Sequence, residues 1–85
     1  MQQVIFPKEV TSNVPRIVLT GRERLLVEQH MGLDTCTSSE IAFSTKNGRL
    51  TVTGRELLFL RFTQTEALIT GYIDTVCFNE KGRRG

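Results

Sequence analysis

Glycine divides this chain into short apolar runs, and that punctuation constrains its fold more than any other feature. From Arg16 onward, segments rich in Ile, Val, Leu, Phe and Thr are interrupted at Gly21, Gly32, Gly48, Gly54 and Gly71. β-Branched and aromatic residues fit a pleated, half-buried surface, while glycine supplies the backbone conformations that turns and bulges require. The runs predict strands over about 16–20, 24–30, 33–37, 40–45, 49–53, 57–62, 66–70 and 72–78.

An internal repeat settles the one ambiguous segment. Residues 22–31, Arg-Glu-Arg-Leu-Leu-Val-Glu-Gln-His-Met, are good helix formers and stop at Gly32, as a helix could. However, Leu19-Thr20-Gly21-Arg22-Glu23-Arg24-Leu25-Leu26-Val27 aligns with Val52-Thr53-Gly54-Arg55-Glu56-Leu57-Leu58-Phe59-Leu60, offset by 33 residues. The second copy has the apolar and aromatic character of a strand, so both are read as strands. A third Thr-Gly, at Thr70-Gly71, precedes Tyr72-Ile73 in the same manner. Repeated strand-Gly-strand units predict an all-β fold, a small single-domain antiparallel β-sandwich or roll of about seven to eight short strands, with a short β-solenoid as the alternative.

Residues 41–53 carry the clearest hairpin signal, with Asn47-Gly48 suited to a type I′ turn. That turn would place Lys46 opposite Arg49 and Phe43 opposite Val52, with Ile41, Phe43, Leu50 and Val52 on the core side. The like-charged pair beside the turn argues against this register and for a slip to a bulged turn, and a hairpin is expected in either case.

At 85 residues the chain is one small domain with little apolar surface to spare for an enclosed active site. Pro7 and Pro15 bracket a polar stretch, so residues 1–15 are expected as an arm, 16–79 as the β-domain and 80–85 as a basic tail. Three of the 11 basic residues lie in Lys81-Gly82-Arg83-Arg84-Gly85; elsewhere acids and bases alternate, which gives no footprint for nucleic acid. The start lacks the charged and apolar regions of an export signal, and no run is long enough to span a membrane, so a cytoplasmic protein is expected.

Residues able to do chemistry are sparse. His30, Asp34 and Cys36 contain the ingredients of an activated thiol, but local spacing does not assemble a triad, and Cys36 reads as a small buried or half-buried side chain. Cys36 and Cys77 lack metal-ligand spacing and are expected as free thiols. The two Thr-Gly-Arg-Glu copies read as strand corners carrying solvated charges rather than anion-binding loops, with Arg22, Glu23, Arg55 and Glu56 available for cross-strand ion pairs. No catalytic, cofactor or metal residue is assigned. The most informative segment is 57–62: if Leu58, Leu60 and Phe62 point inward, Leu57 and Phe59 point outward, and either a second sheet layer covers that pair or, with Arg61, it forms the candidate partner-binding surface.

The order and spacing of Val14-Pro15-Arg16-Ile17-Val18-Leu19-Thr20-Gly21, residues 27–33 (Val-Glu-Gln-His-Met-Gly-Leu), residues 47–57 from Asn47-Gly48 to Glu56-Leu57, and Ile69-Thr70-Gly71-Tyr72-Ile73 resemble the YabP/YqfC family of sporulation proteins, nearest its YqfC branch. The resemblance spans about residues 14–78 and departs at residues 1–13 and after Phe78. It implies a non-enzymatic protein of endospore-forming bacteria, made in the mother cell and needed for spore development. It also implies a membrane-associated sporulation protein of the YqfD type as a partner, with the protein held at the periphery of the forespore membrane through it. Self-association into a scaffold of the developing spore is the alternative. The five matched glycines fit the turn positions already derived and point to fold rather than to a site.

Overall fold

A computed structural model describes residues 14–79. Most of the expected arm and all of the basic tail lie outside the described residues. Six strands, β1 (Arg16–Thr20), β2 (Arg24–Glu28), β3 (Leu33–Cys36), β4 (Glu40–Thr45), β5 (Gly48–Phe62) and β6 (Glu66–Asn79), form one sheet in the order β1-β2-β6-β5-β4-β3. Every pairing is antiparallel, so the all-β antiparallel expectation holds and the solenoid alternative is overturned. Six strands replace the seven to eight expected because two pairs of runs fuse: 49–53 with 57–62 in β5, and 66–70 with 72–78 in β6.

These two long strands organise the core. β4 pairs only with the first part of β5, through Thr53, and β2 only with the first part of β6, through Thr70. The sheet is thereby divided into two halves that share β5 and β6, one completed by β3 and β4 and the other by β1 and β2. Leu25, Val27, Ala67 and Ile69 from the β2 half join Ile41, Phe43, Leu50 and Val52 from the β4 half in a single buried cluster, with Leu57 and Ile73 where the halves meet. The inner faces are therefore rolled onto one another. Burying a large aliphatic or aromatic side chain is worth about 1.5–3 kcal/mol, so this cluster supplies the main driving force.

The roll is made at glycine. A Cβ on Gly71 would lie 2.5 Å from the carbonyl oxygen of Glu56, and Gly71 has φ +134°; a Cβ on Gly54 would collide with the carbonyl of Tyr72. β5 and β6 can approach this closely at their bends only without side chains there. Two turns dock on those bends. The β1–β2 turn meets β6, where Ile73 N–H donates to Arg22 O (2.8 Å) and Thr70 Oγ1 to Glu23 O (3.2 Å). The β3–β4 turn meets β5, where Gly54 N–H donates to Ser39 O (3.0 Å) and Leu57 N–H to Ser38 O (2.9 Å). The two repeat copies thus diverge in role: Gly21 opens a hairpin turn, whereas Gly54 and Gly71 bend continuous strands and are not turn residues.

The bend also reverses which side chains face the core. Leu50 and Val52 point inward, but register shifts follow between Thr53 and Gly54, between Arg55 and Leu58, and between Phe59 and Arg61. Glu56 takes up the second of these, between Arg55 and Leu58, with a left-handed φ of 55°. An inserted residue exchanges the two faces of everything downstream. Leu57 is consequently buried (5% exposed) and Phe59 packs against the core, while Leu58 and Leu60 are each 53% exposed. The expectation that Leu57 and Phe59 face outward is overturned, and so is the inward placement of Leu58 and Leu60.

The β4–β5 hairpin takes the slipped register. Thr45 pairs with Gly48, Ser44 with Arg49 and Phe43 with Leu50, which makes Lys46-Asn47 the loop and moves the positive φ (124°) to Gly48. Thr45 Oγ1 closes the turn, accepting from Asn47 N–H (3.1 Å) and donating to Gly48 O (2.7 Å). Ile41, Phe43, Leu50 and Val52 remain inward, as both registers require.

Candidate interaction surface

Residues opposite one another in an antiparallel ladder share a face, so the register defines the outer surface of the β1-β2-β6-β5 half. One row runs Val18, Leu26, Leu68, Arg61, and the next runs Thr20, Arg24, Thr70, Leu58. Val18, Leu26 and Leu68 are half-buried by their neighbours. With the exposed Leu58 and Leu60 they form an apolar stripe across four strands. Cross-strand ion pairs flank it, Arg16 to Glu28 (2.8 Å) and Arg61 to Glu66 (3.2 Å), each worth only about 0.2–1 kcal/mol at this exposure.

Residues 58–62 are also a free margin. β6 occupies one side of this segment, and β4 ends its pairing at Thr53, so no described strand lies on the other side. Such an edge is a template for another strand. Of the three residues assigned to the surface from sequence, the structure keeps only Arg61 on the outer face and substitutes Leu58 and Leu60 for Leu57 and Phe59.

A second feature lies where the two halves meet at the end of the roll remote from the bends. His30 is buried, with its ring centroid 4.9 Å from that of Phe43 and 5.2 Å from that of Phe62, nearly parallel to the latter. Gly32 N–H donates to Nδ1 (3.1 Å), which places the proton of the neutral ring on Nε2, where it donates to the Thr63 carbonyl (3.0 Å). Gln29, left-handed at φ 67°, turns the chain out of β2 so that His30 can enter this position, and Gln29 N–H donates to Thr65 O (2.6 Å). Beside it lies an open groove of about 660 Å³, lined by Met31, Leu33 and Phe62 with Gln29 and Gln64.

The His30, Asp34 and Cys36 cluster does not assemble into a reactive centre. Both ring nitrogens of His30 are engaged by backbone groups, whereas Asp34 accepts from Ser44 Oγ (3.3 Å) and lies 4.0 Å from Arg49. Cys36 is exposed rather than buried or half-buried, and both Cys36 and Cys77 are free thiols. The repeat arginines find partners other than their neighbouring glutamates: Arg22 lies 3.8 Å from Asp74, and Arg55 stacks over the Tyr72 ring at 4.7 Å. No group of His, Cys, Asp and Glu suited to a metal ion occurs among the described residues. The described residues contain no helix long and apolar enough to cross a membrane.

The YabP family model matches residues 11–85, nearly the whole chain. The chain belongs to the YabP family. It is 30% identical over 75 residues to the "Uncharacterized protein YqfC" of Bacillus subtilis (strain 168), an alignment covering 88% of this chain and 81% of that protein. No solved structure matches. The family match continues past Phe78 through the basic end, beyond the limit drawn from sequence motifs alone. The YabP-family match spans every strand described above, including the residues of the outer stripe and His30.

One local signal escaped the sequence reading. Thr37-Ser38-Ser39-Glu40 and Thr63-Gln64-Thr65-Glu66 share a Thr-x-Ser/Thr-Glu pattern, and in both the first threonine's Oγ1 accepts from the glutamate N–H, at 2.9 Å in each case. These hydroxyls close the β3–β4 and β5–β6 turns. The pattern was available in sequence as a turn marker that needs no glycine.

Proposed function

We propose that this protein is a non-enzymatic interaction module in the spore development of endospore-forming bacteria, binding a protein partner through the outer stripe and the free margin at residues 58–62. The observation that carries this reading is the exposure of Leu58 and Leu60 on that margin, continuous with Val18, Leu26 and Leu68. Exposed apolar area arranged in a row marks contact surfaces, and an open edge accepts an extended strand through its backbone groups. Family membership supports the assignment to spore development. A membrane-associated sporulation protein of the YqfD type is the proposed partner, reached from the mother-cell cytoplasm. Cross-linking in sporulating cells tests this, with the wild-type chain compared against Leu58→Asp/Leu60→Asp. Loss of the same membrane-fraction partner from a folded variant supports the reading, and its retention refutes it.

A second reading, self-association into a scaffold, is favoured by one observation: among the described residues, β1 and residues 58–62 are opposite unpaired margins of the same half. Head-to-tail pairing of these margins would run on from copy to copy. Sedimentation velocity over a wide concentration range separates the two, since a persistent monomer contradicts assembly.

A further inference from the structure

We draw no further inference here: the strongest candidate, the apolar groove beside His30 lined by Met31, Leu33 and Phe62, carries nothing because nothing in the structure shows what covers it.

Discussion

Replacing Gly71 with alanine tests the glycine bend where its physical basis is clearest. Two separate costs arise. The backbone at φ +134° is a conformation that residues with a β-carbon rarely adopt, which costs about 1–3 kcal/mol. The new methyl would also lie 2.5 Å from Glu56 O and 2.9 Å from Leu57 Cα, both backbone atoms of the paired strand, and overpacking of this kind costs about 1–3 kcal/mol. The expected loss is about 2–6 kcal/mol, against a total of roughly 4–13 kcal/mol for a chain this size at the usual ~0.05–0.15 kcal/mol per residue. Gly21→Ala is the matched control: φ is +59°, but nothing lies within 4 Å of the added carbon, so only the backbone cost of about 1–2 kcal/mol applies. Thermal unfolding followed by circular dichroism should show Gly71→Ala melting at least ~8 °C below wild type and below Gly21→Ala, since about 1 kcal/mol moves the midpoint roughly 4–8 °C in a small domain. Equal losses for the two variants would refute the argument that close approach of β5 and β6 at the bend requires glycine.

Three further outcomes follow from the same structure. Leu57→Asp should unfold the domain, because it buries a carboxylate in the core, whereas Leu58→Asp should change stability by less than about 1 kcal/mol; urea titration of both checks this, and the reverse ranking would restore the opposite facing of β5. His30→Phe retains an aromatic ring between Phe43 and Phe62 but leaves Gly32 N–H and Thr63 O without their ring partners, so it should lose about 1–3 kcal/mol for each such group that stays dry, measured by the same titration. Iodoacetamide should modify both Cys36 and Cys77 in the native protein, read by intact mass, and a thiol that reacts only after unfolding would contradict its exposed position.

The limits of the sequence reading have a common physical origin. Composition and glycine spacing made the β class legible, and the repeat correctly moved residues 24–28 from helix to strand although their individual propensities favour a helix. The inward set of the β4–β5 hairpin was legible because Ile41, Phe43, Leu50 and Val52 alternate regularly away from any bend. The alternation failed at Arg55–Glu56, where the strand continues through an irregularity that local sequence marks only as another Thr-Gly-Arg-Glu. The same four residues that make a turn at Gly21 make a kinked strand at Gly54, and the difference is set by the paired strand: Tyr72 and Ile73 lie against Gly54, while the Gly21 Cβ position is open. Parity downstream of such a kink is a tertiary property, so the outer residues of β5 could be found only once the register with β6 was known. His30 was similarly opaque, since its partners, Thr63 O and Phe43, arrive from distant parts of the chain.

The most direct test of the account is in-cell cross-linking of the tagged chain during sporulation, with wild type, Leu58→Asp/Leu60→Asp and Lys46→Asp compared at equal abundance. Lys46 lies on the exposed β4–β5 loop and serves as the charge-reversed control away from the stripe. Wild type and the loop variant should recover the same membrane-fraction partner, and the double variant, still folded by circular dichroism, should lose it. Recovery of that partner by the double variant as well as by the other two chains would contradict the assignment of the outer face of β5 as the working surface.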